Sequence, residues 1–190
     1  MPAIPPVLAF PDAKTFRAWL ARHHTLAEGI WLRFFKKDSD KKSVTYDQAL
    51  DEALCFGWID GQAKSHDEKS WLQKFTPRRP RSVWSKRNQE RVERLRKAKR
   101  LMPPGLEAVA AAKADGRWAA AYDSPQNMQV PKDFLAALAK HPKAVKFYQT
   151  LNRANTYAIA WRLQTAKKPE TRQKRLAALL EMMKQGKKLH

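Results

Sequence analysis

The sequence predicts an α+β protein that is predominantly helical, with a small antiparallel sheet of about three strands in its N-terminal half and a helical C-terminal region. Three observations predict this class. Segments rich in aromatic and β-branched residues all precede residue 77. Apolar residues at helical spacing recur from residue 12 onward, often behind a capping residue. Beyond residue 85 only helical patterns remain, separated by Pro and Asn. With 43% hydrophobic residues, the chain can bury a packed core.

Two helices are predicted in the N-terminal half. Asp12 can cap the first, after an extended Pro-rich arm at residues 1–11. Thr45 and Gln48 have the spacing of a capping box, in which each side chain bonds to the backbone of the other residue. Gly57 ends this second helix, because glycine readily adopts the left-handed backbone of a helix terminus.

Three strands are predicted, at residues 30–36, 58–64 and 70–76. The last two are joined by a polar turn and are therefore expected to pair antiparallel. Pro77 and Pro80 end the pairing, since proline has no backbone donor.

The remaining chain is predicted to be helical. Ser85 caps a helix that runs to about residue 101, and Pro103 opens the next one. The last third carries four further helical patterns, at residues 132–140, 143–151, 154–165 and 170–184. We expect two domains, an α/β region at residues 1–122 and a helical domain at residues 128–190.

The charge of the chain is +20 and is unevenly distributed. Residues 78–102 hold 11 Lys or Arg against 2 Asp or Glu, a net charge of +9, whereas residues 1–77 are almost balanced. Such a surplus attracts nucleic acid, anionic surfaces or phosphorylated small molecules. No signal peptide and no apolar stretch of membrane-spanning length is recognisable, so a cytoplasmic location without a membrane span is expected.

The main candidate site is the basic segment 78–87. Arginine offers paired donors that match phosphate oxygens, and the first turn of a helix adds free backbone N–H groups. The predicted anion-binding residues are Arg78, Arg79, Arg81, Ser82, Ser85, Lys86 and Arg87. The helix that follows is expected to turn Arg91, Arg94 and Lys97 toward solvent or a ligand. The alternative is that these charges are solvated or pair with Glu28, Asp60 or Asp67.

A possible pocket is expected near Asp60, with Trp58, Trp84 and Asn88 as further members. Strand alternation places Trp58 and Asp60 on one face, away from the core if Ile59 points into it. Asp60 can serve as a general base or accept a structural hydrogen bond. Trp84 can stack on a nucleic-acid base only if its ring is exposed.

No metal site and no cofactor are predicted. His23, His24 and His66 lack the spacing of metal ligands, and the one cysteine excludes a disulfide framework or a cysteine zinc cluster. Cys55 lies near a helix C-terminus, where the dipole does not stabilise a thiolate, and is expected to be a buried structural residue.

Several segments together carry a family resemblance: ALCFGWIDG at 53–61, FTPRRPRSVWSKRN at 75–88, DGRW at 115–118 and KKPETRQKR at 167–175. As an ordered set that covers nearly the whole chain, they resemble the bacteriocin-protection family, also called YdeI/OmpD-associated. The resemblance implies that the helical C-terminal third is the small domain of that family. It implies a role in stress or bacteriocin defence, and it transfers no catalytic residue.

Three functions therefore remain open. The first is a cytoplasmic binding protein that recognises a phosphate-bearing or nucleic-acid ligand through segment 78–87. The second is an enzyme of unknown reaction whose pocket combines Asp60 with the arginines. The third is a protein-interaction module with an unknown partner, in which Leu176, Leu180 and Met183 extend onto an exposed apolar patch.

Overall fold

The N-terminal helices begin where their capping residues predict. In the computed structural model, which describes residues 4–123, 127–166 and 168–189, helix α1 (Ala13–His23) follows Asp12. The Asp12 carboxylate accepts the Thr15 backbone N–H at 2.8 Å. Helix α2 (Tyr46–Cys55) opens on the complete capping box of Thr45 and Gln48 and ends before Gly57, whose φ is +72°. Both predicted helix starts are confirmed. They could be predicted because each depends on bonds within four residues.

Parts of three sequence interpretations concern residues that the structure does not describe. Residues 1–3 of the predicted arm, residues 124–126 between the two predicted domains, and Lys167 of the KKPETRQKR motif lie outside the described residues.

The sheet has four strands in the described residues, one more than predicted. They are β1 (Val7–Leu8), β2 (Ile30–Phe35), β3 (Trp58–Asp67) and β4 (Ser70–Pro77), in the order β1-β2-β4-β3. The predicted three pair antiparallel, and β1 adds to the edge parallel to β2. A two-residue strand is too short to show alternation, so β1 could not be predicted from a pattern of residues. Strand β3 extends to residue 67 because its polar end pairs with β4.

Strand β2 has two chemically different faces. Ile30, Leu32 and Phe34 are buried in the main core, whereas Trp31, Arg33 and Phe35 alternate with them and remain partly exposed. The main core also receives buried side chains from the helices, from β3 and β4, and from the loop before residue 86, among them Phe16, Leu20, Leu54, Trp58, Phe75, Trp84, Val92 and Leu95.

Two further helices complete the N-terminal unit, which spans Met1–Ala121. Helix α3 (Lys86–Lys97) begins at Ser85, as predicted, but ends four residues before the expected residue 101. Lys99 adopts a left-handed backbone with φ of 54° and so stops the helix. Helix α4 (Pro103–Ala114) begins at its proline pair.

The C-terminal unit, Tyr122–His190, is helical and has its own core. Its helices are α5 (Lys132–Ala139), α6 (Pro142–Gln149), α7 (Arg153–Gln164) and α8 (Pro169–Lys184). Leu176 and Leu180 pack against this core, and Met183 is buried in it. The predicted exposed patch of these three residues is therefore wrong, since α8 turns them inward.

Within residues 4–123, 127–166 and 168–189, no helix has both the length and the apolar character needed to cross a membrane.

Candidate functional site

The basic segment 78–87 consists of a fixed loop at residues 78–85, between β4 and α3, and of the first two residues of α3. The backbone N–H of Arg78 donates to the Gly57 carbonyl at 2.9 Å. A tight turn follows, in which the Ser82 N–H donates to the Arg79 carbonyl at 2.9 Å. The Arg79 N–H in turn donates to the Ser82 hydroxyl at 2.9 Å. The backbone of this loop is thus ordered by its own hydrogen bonds.

Arg78 and Trp84 form the inner wall of the loop. The Arg78 guanidinium carbon lies 3.4 Å from the centroid of the Trp84 ring, and Nη1 donates to the Val83 carbonyl at 3.1 Å. Trp84 is only 2% exposed, and its ring lies 4.9 Å from that of Trp118. The buried ring cannot stack on a base, so the condition for a stacking role of Trp84 is not met.

The two serines of the segment are used by the fold. The Ser85 hydroxyl accepts the Asn88 backbone N–H at 3.1 Å, as a helix cap does. The Ser82 carbonyl accepts Nη1 of Arg117 at 3.1 Å, and the same guanidinium is held by Asp115 through Nε at 2.6 Å. Asn88 is buried and so belongs to the interior rather than to a pocket rim.

The exposed charges of the segment are those of Arg79, Arg81, Lys86 and Arg87. No described acidic side chain forms an ion pair with Arg79 or Arg81. Arg87 has a distant partner, with 3.9 Å between Nη2 and Oδ1 of Asp47. These four residues are the members of the predicted anion set that a ligand can reach.

The arginines further along α3 have partners that the sequence did not reveal. Arg91 donates to Asp51 at 3.0 Å and also to Asp47. Arg94 donates to both oxygens of Asp51, at 2.8 and 2.7 Å. The expectation of a side chain facing solvent or a ligand is wrong for Arg91, which the carboxylates of α2 cover, whereas Arg94 pairs with Asp51 and remains exposed.

A third carboxylate of α2, that of Glu52, also binds two arginines. Glu52 is buried and binds Arg17 at 2.7 Å and Arg100 at 2.5 Å. The neighbouring Cys55 is fully buried, and burial raises the pKa of its thiol against the opposing effect of Arg17. Cys55 is thus a packed thiol within this cluster.

Asp60 lies on the core side of the sheet, beside α2. Its Oδ2 accepts the Tyr46 hydroxyl at 2.6 Å. Burial, and then the bond to Asp60, raise the pKa of Tyr46 well above its usual value near 10. Trp58 is fully buried and donates Nε1 to the His24 carbonyl at 2.7 Å, so it faces the core and not away from it.

Three of the four predicted pocket residues, Trp58, Trp84 and Asn88, are buried. No hydrogen bond, ion pair or ring contact within the described part of the chain joins Asp60 to Trp58, Trp84 or Asn88. Of these four, only Asp60 is more than marginally accessible. Within the described part of the chain, no group of three or more His, Cys, Asp or Glu side chains is arranged to hold a metal ion.

Sequence reasoning missed Arg117 and the carboxylates of α2. Asp47 and Asp51 are four residues apart and therefore share a helix face, which the sequence does show. It does not show that this face meets α3, because the paired residues are separated by 40 positions or more.

Two family models match the chain. A domain of unknown function (DUF8412) matches residues 8–108, more than half of the chain, and the model described as Bacteriocin-protection, YdeI or OmpD-Associated matches residues 127–186. No curated protein and no solved structure matches. The second match confirms the resemblance carried by the sequence motifs. The chain therefore belongs to the family of the domain of unknown function DUF8412, and its residues 127–186 are similar to the bacteriocin-protection, YdeI or OmpD-associated family.

Proposed function

We propose that this protein is a stress- or bacteriocin-defence-related binding protein that takes an anionic ligand at Arg79, Arg81, Lys86 and Arg87. The ligand class is phosphate-bearing, either a small molecule or nucleic acid. The proposal includes a cytoplasmic location, where such ligands are abundant. One observation carries it: Arg79 and Arg81 are exposed and receive no ion pair from a described acid, although acids neutralise most arginines nearby.

The fixed backbone of the loop supports this proposal. A ligand that binds to an ordered loop loses less free energy to conformational entropy than one that must order a flexible segment. The Arg79–Ser82 turn, the Arg78–Trp84 contact and the bond from Arg117 all order the loop before any ligand arrives. The first turn of α3, which carries Lys86 and Arg87, adds the positive end of a helix dipole.

The arginine chemistry supports a phosphate-type ligand over a simple counter-ion. A guanidinium group presents parallel N–H donors that match two oxygens of a phosphate. Two such groups on one short turn, at positions 79 and 81, can engage adjacent phosphates or two sides of one phosphate.

The test is the double variant R79Q/R81Q, with a labelled DNA duplex of about 20 base pairs as the probe. Each lost phosphate contact lowers the slope of log affinity against log salt by about 0.9, so the variant should lose about 2 units of slope. The matched control K14Q/R22Q removes two exposed charges from α1 and should keep the wild-type slope. The proposed site would be rejected if both variants lost the same amount of slope, or if neither variant lost any.

An enzyme remains the second hypothesis and lacks a comparable argument. It requires arginine heads to converge on Asp60, whereas the described contact of Asp60 is the Tyr46 hydroxyl. The residue would need to exchange this donor for a substrate before it acted as a base.

A further inference from the structure

The sheet of the N-terminal unit has an outer face built from alternate residues of β2 and β4. Trp31, Arg33 and Phe35 point to this side, because Ile30, Leu32 and Phe34 between them fill the main core. In the register of the sheet, Lys74 lies opposite Trp31. We call the residues Trp31, Arg33, Phe35, Lys41, Lys64 and Lys74 the outer sheet face.

Each aromatic ring of the outer sheet face is flanked by two cations. The Lys64 and Lys74 ammonium groups lie 4.2 and 5.9 Å from the centroid of Trp31. The Arg33 guanidinium carbon and the Lys41 ammonium lie 4.7 and 5.7 Å from the centroid of Phe35. Both rings are partly exposed, so a flat ligand can reach them.

A cavity of about 400 Å³ opens beside the Phe35 ring. Its lining combines Phe35 with polar and charged groups: Arg33, Ser39, Lys41, Asp67, Glu68 and Lys69. Arg33 neutralises Asp67 through an ion pair of 2.5 Å. A cavity of this volume, with one aromatic wall and a few polar groups, has the dimensions of a small-ligand site.

We propose that the outer sheet face binds single-stranded nucleic acid, with bases stacked on Trp31 and in the cavity beside Phe35. The two rings are four residues apart on one strand, about 13 Å, so they can take two separate bases of one strand. A base that stacks on Trp31 displaces the Lys64 ammonium from the ring toward the neighbouring phosphate.

The chemistry of the face favours this occupant over others. A duplex keeps its bases paired and cannot offer their faces to the rings. A protein partner would favour an apolar surface with few lysines, whereas lysine and arginine surround both rings here. This inference uses no residue of segment 78–87 and so does not depend on the function proposed above.

The stacking part is tested with a fluorescein-labelled oligothymidylate of about ten nucleotides, by anisotropy. The variant W31L should bind about 5- to 100-fold more weakly, because one base loses its ring, while W31F keeps a ring and should stay within about 3-fold of wild type. Heparin, which has charge but no bases, should bind W31L and wild type equally. Thermal unfolding followed by circular dichroism checks that both variants are folded.

The charge part replaces the two lysines that flank the Trp31 ring. K64Q/K74Q should lower the salt slope for the oligothymidylate by about 1.4, whereas the matched control K14Q/K97Q, on the helices, should not. Oligothymidylate binding that is equal in W31L, W31F and wild type would overturn the proposal. So would an equal loss of heparin binding in W31L, which would identify a general polyanion surface. A loss of duplex binding in R79Q/R81Q is a result for segment 78–87 and not for the outer sheet face.

Discussion

At the scale of single residues, Lys99 shows how the protein ends a helix without glycine. Its N–H donates to the Arg96 carbonyl at 3.0 Å, and the N–H of Arg100 donates to the Leu95 carbonyl at 3.0 Å. This is the Schellman pattern, which places the residue after the cap in the left-handed region. A side chain there costs about 1–2 kcal/mol, and Lys99 carries that cost with φ of 54°.

Lys99→Gly should therefore stabilise the protein. Relief of the left-handed strain exceeds the extra entropy that glycine loses on folding, and we expect a net gain of about 0.5–1 kcal/mol in the free energy of unfolding. Urea denaturation measures this change. Glu90→Gly, at an exposed position inside α3, is the control and should lose about 1 kcal/mol. Destabilisation by both substitutions would contradict the strain argument.

The outcome of each predicted site residue depended on how far away its partner is. Ser85 was recognisable as a cap, because its bond to Asn88 spans three residues. The burial of Trp84 was not recognisable, because Trp118, which lies against it, comes from a distant part of the chain. The exposure of Arg79 and Arg81 follows from the turn that Arg79 and Ser82 close. This turn is local, but it has no distinctive sequence pattern.

At the scale of elements, the side-chain bond between Tyr46 and Asp60 ties the first turn of α2 to β3. Tyr46→Phe removes the donor and leaves the Asp60 carboxylate partly desolvated without it, so we expect a loss of about 1–2 kcal/mol in the free energy of unfolding at pH 7. Chemical denaturation of the two proteins measures the difference.

The same bond predicts a pH dependence at the alkaline end. The pKa of Tyr46 is raised in the folded protein, so above pH 10 the unfolded chain releases this proton while the folded protein keeps it. The contribution is complete below pH 10 and falls as pH rises beyond it. Stability curves of wild type and Tyr46→Phe should converge above pH 10, and parallel curves would contradict the assignment.

Between elements, the charges of α2 and α3 explain why local composition overstated the free positive charge. Segment 78–102 has two acids of its own, but Asp47, Asp51 and Glu52 reach it from α2. Helix starts and strands could be predicted from patterns within a few residues. The face that α3 turns to α2, and the fourth strand at the sheet edge, are set by contacts between residues far apart in the chain.

At the scale of the whole molecule, the positive charge stays large after these ion pairs are formed. The chain carries 38 basic against 18 acidic residues, so at least 20 cations have no acid to neutralise them. Such a charge accelerates encounters with polyanions in low salt but gives no specificity by itself. Specificity must come from groups in fixed positions, and the ordered loop at 78–87 and the rings of the outer sheet face are two places that provide them.

The predicted domains, residues 1–122 and 128–190, should fold when produced separately. Each of the two units has a core of its own; the C-terminal one is centred on Phe134, Ile159 and Leu163. Because a fragment of about 60 residues buries a smaller share of its surface, we expect 128–190 to unfold cooperatively but with less than about 5 kcal/mol. Leu163→Ala in that fragment removes a fully buried side chain and about 2–5 kcal/mol, so it should abolish the transition. Circular dichroism during thermal unfolding measures all three samples. A fragment 128–190 that melts without a cooperative transition would show that its core needs the rest of the chain.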